Sequence, residues 1–227
     1  MTIPATHAEV EQIYQTAELN DCRSLCLMSC QSGEGVTAVT MALCERYLLA
    51  GYRTALVDLN LFHPSFLPAS VSENQTDWLQ HTQSLRCFTG ISLPTETVNQ
   101  LVYKRPDFLK QAMSTWLSQY ERVVVDTSPL LNINRHNIPA QSIAGICDGA
   151  ILVVLAGNTT SVRIQTAMDL LKQGNIELLG TVLNCRDKPT LVSEICREIN
   201  RIPLLPLKWK QRLKEKIINN EYLNTAL

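Results

Sequence analysis

The stretch Ser29-Cys30-Gln31-Ser32-Gly33-Glu34-Gly35-Val36-Thr37 joins an apolar run to a helix-forming segment, with glycines and a hydroxyl at the spacing of a phosphate-gripping turn. In the full pattern, Gly-x-x-x-x-Gly-Lys-Ser/Thr, backbone N–H groups face a phosphate and the following helix adds its positive dipole end. The lysine reaches the outer phosphates, and the hydroxyl binds Mg²⁺. Here Gly33, Gly35 and Thr37 are present, but Val36 stands where the lysine belongs and Cys30 where the first glycine belongs. Asp58 and Asp126 each close another apolar run and supply the hard oxygens that Mg²⁺ prefers; Asp58 is also a candidate vestigial base. Asn184 closes a further run. Each feature has a plainer reading beside the chemical one. The turn can be a tight connection, the aspartates can accept backbone N–H groups, and the asparagine can form a turn.

A doubly wound, mostly parallel α/β sheet flanked by helices would bring these residues together, because ligands of such sheets lie beyond the carboxyl ends of the strands. Leu25–Ser29, Thr54–Asp58, Arg122–Asp126, Ala150–Leu155 and Leu178–Asn184 are continuously apolar, as strands buried on both faces must be. Between them, helices are predicted over Thr37–Ala50, Pro106–Gln119 and Ser161–Gln173. Gly51 and Gly174 are expected to close the first and last in left-handed conformation. The Ser-, Thr-, Pro- and Asn-rich region from His63 to Thr97 reads as loops around one short strand, Leu85–Thr89. The expected organisation is a polar helical segment over 1–24, a nucleotide-fold domain over 25–200 and a basic amphipathic tail over 201–227.

The 227 residues carry 20 Lys+Arg and 21 Asp+Glu, a net charge of −1. That balance argues against a nucleic-acid binder, which carries a basic excess. The neutrality is uneven: residues 201–227 hold six basic and two acidic residues, leaving fourteen basic and nineteen acidic before them. No secretory signal or membrane span is expected from the polar N-terminus and the short apolar runs. The eight cysteines show neither Cys-x-x-Cys nor zinc-type Cys/His spacing. They read as small buried hydrophobes of a reducing cytoplasm. His63 and His136 read as loop histidines.

Adding the neighbouring segments makes a resemblance specific. Ala55-Leu56-Val57-Asp58-Leu59-Asn60-Leu61-Phe62-His63-Pro64 resembles the second Walker motif of the bacterial tyrosine kinases of capsule and exopolysaccharide biosynthesis, an apolar run followed by Asp-x-Asp-x-Arg-x-Pro. Val123-Val124-Val125-Asp126-Thr127-Ser128-Pro129 resembles their Walker B. Cys147–Val154 and Leu179–Asn184 are similar to two later segments, the last ending in an asparagine that contacts adenine in relatives. Order and spacing agree over about residues 20–200. The resemblance implies a P-loop NTPase-like fold, related to the partitioning and septum-site ATPases. It also implies a nucleotide site at Gly33, Glu34, Gly35, Val36, Thr37 and Asn184, and a metal site at Thr37, Asp58 and Asp126.

The departures shape the functional expectation. Val36 replaces the lysine, Asn60 an aspartate and Phe62 an arginine. The N-terminal Glu-x-x-Arg-x-x-Arg pattern, which mediates ring assembly in relatives, keeps Glu11 but has Tyr14 and Ala17 in place of its arginines, and the C-terminal tyrosine cluster is absent. Hydrogen bonds to a charged group contribute about 1.5–3 kcal/mol, so losing the lysine weakens triphosphate binding roughly ten- to over a hundred-fold. The resemblance therefore implies ATP or ADP with Mg²⁺ bound weakly, if at all. The expected role is a regulatory or scaffold subunit beside a membrane polysaccharide co-polymerase or another export subunit, cytoplasmic or at the inner face of the membrane. Self-assembly remains open, as does the alternative of an ATPase or tyrosine autokinase with an atypical site, its cation supplied by Arg53, Arg135, Lys188 or a partner. In the tail, Trp209, Leu213 and Ile217 form one helical stripe beside Lys208, Arg212 and Lys216. Such a helix over 208–218 suits either an anionic membrane surface or docking against the domain.

Overall fold

A computed structural model of the chain describes residues 3–61, 63–69, 78–91, 102–132, 137–186, 191–201 and 207–218. Two compact units emerge, Met1–Asn184 and Cys185–Leu227. In the first, the elements follow as α1 (Ala8–Leu19), β1 (Ser24–Ser29), α2 (Val36–Leu49), β2 (Thr54–Asp58), β3 (Phe66–Pro68), β4 (Trp78–His81) and β5 (Cys87–Ile91). They continue with α3 (Pro106–Gln119), β6 (Arg122–Asp126), α4 (Ala140–Ala144), β7 (Gly149–Leu155), α5 (Ser161–Gln173) and β8 (Leu178–Asn184). The second unit contains α6 (Leu191–Arg201) and α7 (Leu207–Ile218). No helix among the described residues is long and apolar enough to cross a membrane.

The eight strands lie in the order β3-β4-β5-β2-β6-β1-β7-β8. From β5 to β8 all pairings are parallel, whereas β4 runs antiparallel to both β3 and β5. The strand side chains alternate between two cores, as the pleat requires. Leu25 and Leu27 of β1 join Leu56, Val124 and Val153 in the core that includes α2 residues. Cys26 and Met28 join Val57, Val125 and Leu152 in the core that includes α3 and α5 residues. Burying a side chain of this size stabilises by about 1.5–3 kcal/mol. These continuous apolar strands are therefore the elements with the strongest reason to form.

Two local expectations are corrected. Gly174 is not left-handed (φ −82°); Asn175, with φ 48°, takes that conformation one residue later. Asparagine tolerates it because its short polar side chain can bond locally. Gly51 does adopt φ 88°. The described residues after His63 hold three short strands rather than one, and Leu85, at φ 58°, sits in the turn before β5 instead of starting it. Alternating exposed and buried residues in β4, with one face solvated, made this meander weaker in apolarity than the central strands.

Helix α1 is fastened to the domain by charge and aromatic contacts. Glu11 accepts from Arg46 Nε and Nη2 at 2.5 and 3.1 Å. The Arg46 guanidinium lies 3.8 Å from the Tyr14 ring centroid, and Ala17 is fully buried. Glu11, Tyr14 and Ala17 thus all make contacts within the chain. About two turns after Glu11, Glu18 accepts from Arg122 Nε and Nη2, each at 2.9 Å, and from the Tyr52 hydroxyl at 2.7 Å. Tyr47 stands edge-on between Tyr14 and Tyr52, with centroids 5.3 and 6.0 Å away. Its hydroxyl is buried without a hydrogen-bond partner among the described residues.

That hydroxyl is desolvated with nothing in return, a cost of about 1–3 kcal/mol. Tyr47→Phe should therefore raise the urea midpoint, with a gain of about 1 kcal/mol. A fall in the midpoint would show instead that the hydroxyl has a partner.

Candidate functional site

Six residues, Cys30 to Gly35, connect β1 to α2 at the carboxyl end of the sheet. Gly33 (φ 83°) and Gly35 (φ 99°) occupy left-handed conformations that side chains disfavour. At Gly35 a Cβ would also clash with Asn184 Nδ2. That nitrogen donates to the Glu34 carbonyl at 2.9 Å, tying the turn to the end of β8. Glu34 itself is buried. Its carboxylate accepts the Cys30 N–H at 2.9 Å and the Thr159 hydroxyl from the loop after β7. The turn is thus held in shape by its own residues and by the ends of two neighbouring strands.

Beside it, the Thr37 hydroxyl donates to Asp126 Oδ2 at 2.6 Å and lies 3.2 Å from Ser65 Oγ. Asp58 and Asp126 are direct register partners on β2 and β6. Asp58 accepts backbone N–H groups from Asn60 (2.9 Å), Ser65 (2.7 Å) and Phe66 (3.2 Å). Burial pushes the Asp58 carboxyl up to about 6 despite those donors. Burial, and then the neighbouring Asp58 charge, push Asp126 well above the usual carboxylate range, while the Thr37 hydroxyl acts the other way.

The site residues expected from the sequence fall into three groups. Thr37, Asp58 and Asp126 come together, and this set of hard oxygens fits Mg²⁺, although no group of three His, Cys, Asp or Glu suited to a metal occurs among the described residues. Gly33, Glu34, Gly35 and Asn184 form the connected turn, in which Asn184 contacts the turn itself. Val36, 8% exposed, belongs to the α2-side apolar core with Leu27, Val39 and Leu43. The residue at the lysine position is therefore a core side chain. As a base, Asp58 has both carboxylate oxygens engaged by backbone N–H groups. Arg53 belongs to the opposite end of the sheet, before β2, paired with Glu121 at 3.6 Å. Phe62, Arg135, His136 and Lys188 lie outside the described residues.

Sequence reasoning missed Thr159, Ser65 and Asn137, whose amide donates to Asn60 Oδ1 at 3.3 Å. The hydroxyl-rich run Asn158-Thr159-Thr160 directly after a buried strand was the available signal.

No family model matches the chain. The tyrosine-protein kinase CpsD of Streptococcus pneumoniae serotype 4 is 28% identical over 172 residues, covering 70% of this chain and 74% of its own. The kinase domain of the Escherichia coli tyrosine kinase ETK superposes with a TM-score of 0.59 at 16% identity, over 80% of this chain and 75% of that one. The septum site-determining protein MinD of Pyrococcus horikoshii, complexed with Mg-ADP, gives a TM-score of 0.50 at 17% identity, over 74% and 72%. The sequence relatives are thus bacterial tyrosine-protein kinases, and the structural likeness shows a shared P-loop NTPase-type fold.

The two raised carboxyl groups set a pH dependence. A group whose pKa is higher folded than unfolded stabilises fully below its unfolded value, near 4, and loses that contribution as pH rises through its folded value. Without metal, the thermal midpoint should therefore drop from pH 5 to pH 7.5, and Asp126→Asn should flatten the drop. His81, whose pKa is lowered by burial, acts oppositely but equally in both proteins. Parallel curves for the two proteins in chelator would refute this electrostatic account.

Proposed function

We propose that this chain, whose sequence relatives are bacterial tyrosine-protein kinases, is a regulatory or scaffold subunit of capsule or exopolysaccharide synthesis and export that transfers no phosphoryl group. The observation carrying this reading is the burial of Val36 in the apolar core. Phosphoryl transfer depends on neutralising charge on the transferring group, and the turn offers backbone N–H groups and a hydroxyl but no cation of its own. The retained turn supports a weak hold on a nucleotide, and the Thr37, Asp58 and Asp126 oxygens are the groups that would hold its Mg²⁺. Glu34, Asn184 and Thr159 support a turn that is shaped without ligand.

The partner this reading implies is a membrane polysaccharide co-polymerase or a related export subunit. Helix α7 supports placement at the membrane's inner face. On it, Trp209 is 64% and Leu213 39% exposed. At 100° per residue their stripe with Ile217 is flanked by Arg212 and Lys216 on one side and Lys210 and Lys214 on the other. Cations beside an exposed apolar stripe are the pattern of an interfacial helix.

Two measurements test the reading. With Mg-ATP the chain should show no hydrolysis or tyrosine phosphorylation above background and no calorimetric affinity tighter than about millimolar, as expected from the lost charged contact. Val36→Lys should not restore turnover, because the new ammonium would start from a buried position. Micromolar binding by the wild-type chain, or labelling of any tyrosine, sinks the non-transferring role. Separately, the full chain should co-sediment with anionic lipid vesicles more strongly than a Trp209→Ser/Leu213→Ser variant. Equal sedimentation would remove the membrane contact.

A further inference from the structure

With a valine at position 36, a bound phosphate would need its countercharge from elsewhere. Four arginines of the first unit are engaged with carboxylates: Arg46 with Glu11, Arg53 with Glu121, Arg86 with Glu45 and Arg122 with Glu18. Arg23, before β1 and so at the other end of the sheet, donates to the carbonyls of Leu117 and Tyr120. Arg105 and Arg163 differ, each exposed and with no carboxylate pair among the described residues; Arg105 precedes α3, whereas Arg163 lies in the first turn of α5.

The start of α5 is seated on the turn. The Cys30 thiol approaches the Arg163 carbonyl at 3.9 Å, and the Thr159 hydroxyl, four residues before Arg163, is held by the Glu34 carboxylate. Thr160 caps the helix by accepting the Arg163 N–H at 3.4 Å, which fixes the backbone orientation of that first turn. Helical side chains lean toward the helix N-terminus, so the Arg163 side chain leans back toward the loop that holds Glu34. Its charge is felt there: burial raises the Cys30 thiol to about 11, Glu34 adds to that rise, and Arg163 opposes it.

We infer that Arg163 is the phosphate-facing cation of this site, a guanidinium delivered from α5 to the outer phosphate of a nucleoside diphosphate held on the Gly33–Thr37 turn. The inference rests on the weak nucleotide hold proposed above. A guanidinium presents paired donors matched to phosphate oxygens. Delivered from α5, it would allow binding without restoring the geometry of a lysine on α2.

Nuclear magnetic resonance titration of the full chain with ADP and Mg²⁺ tests it, following the Gly33 and Gly35 amides. The wild-type chain should show saturable shifts, Arg163→Ala should bind about ten-fold more weakly, and Arg163→Lys should recover part of the loss. The alanine variant should also show a shallower weakening with added salt, which a purely structural effect would not produce. Thermal melting checks that both variants remain folded, as expected for an exposed position. Saturable wild-type binding that Arg163→Ala leaves unchanged overturns the role of Arg163 alone. An absence of saturable shifts in the wild-type chain removes both this inference and the nucleotide hold beneath it.

Discussion

Two carboxylates buried side by side at the ends of adjacent parallel strands are the constraint around which this site is organised. Asp58 and Asp126 are register partners, and neither forms an ion pair among the described residues. Charges taken out of water must be neutralised or richly hydrogen-bonded. The chain answers with local donors: three backbone N–H groups converge on Asp58, and the Thr37 hydroxyl reaches Asp126. Asn60, Ser65 and Phe66 are consequently drawn around a carboxylate, and the first turn of α2 is tied to β6. These carboxylate oxygens are thus structural acceptors that shape the loop after β2 and the start of α2 beside a buried Val36.

Glu34 plays a parallel part in the turn. Its carboxylate bonds a residue at the end of β1 and one after β7, while its carbonyl receives Asn184 from β8. Three strand ends thus converge on one residue, so the turn's conformation depends on the sheet order and not only on its two glycines. At the other end of the sheet, the Glu11–Arg46 and Glu18–Arg122 pairs bind α1 to the domain. Exposed ion pairs contribute little, but these arginines are mostly buried and also lie over tyrosine rings, where packing and cation–π attraction add to charge. Glu11 and Glu18 thus serve as attachments of α1 within one chain.

The sequence was most legible where burial dominated. The central strands follow from unbroken apolar runs; β2, β6 and β8 have the expected ends, and β1 and β7 each begin one residue earlier. Legibility fell where side-chain contacts from distant segments decided the outcome. The β3–β4–β5 meander lacks a strong apolar signature, and the left-handed residue after α5 is an asparagine where glycine was the natural choice. Thr159 and Arg163 carry no motif of their own, and their relevance comes from α5 starting against Cys30.

Residue types alone determined the alternation of apolar strands and helices, the absence of a lysine and the retention of Thr37, Asp58 and Asp126, because these are properties of local composition and order. Tertiary structure alone decided that Val36 is a core residue, that Asn184 braces the turn it was expected to serve, and that Arg53 lies at the wrong end of the sheet while Arg163 lies beside the turn. The physical reason is that charge and hydrogen bonding act over a few ångströms in space. Residues more than a hundred positions apart become neighbours only once the parallel sheet has set the order of its strands.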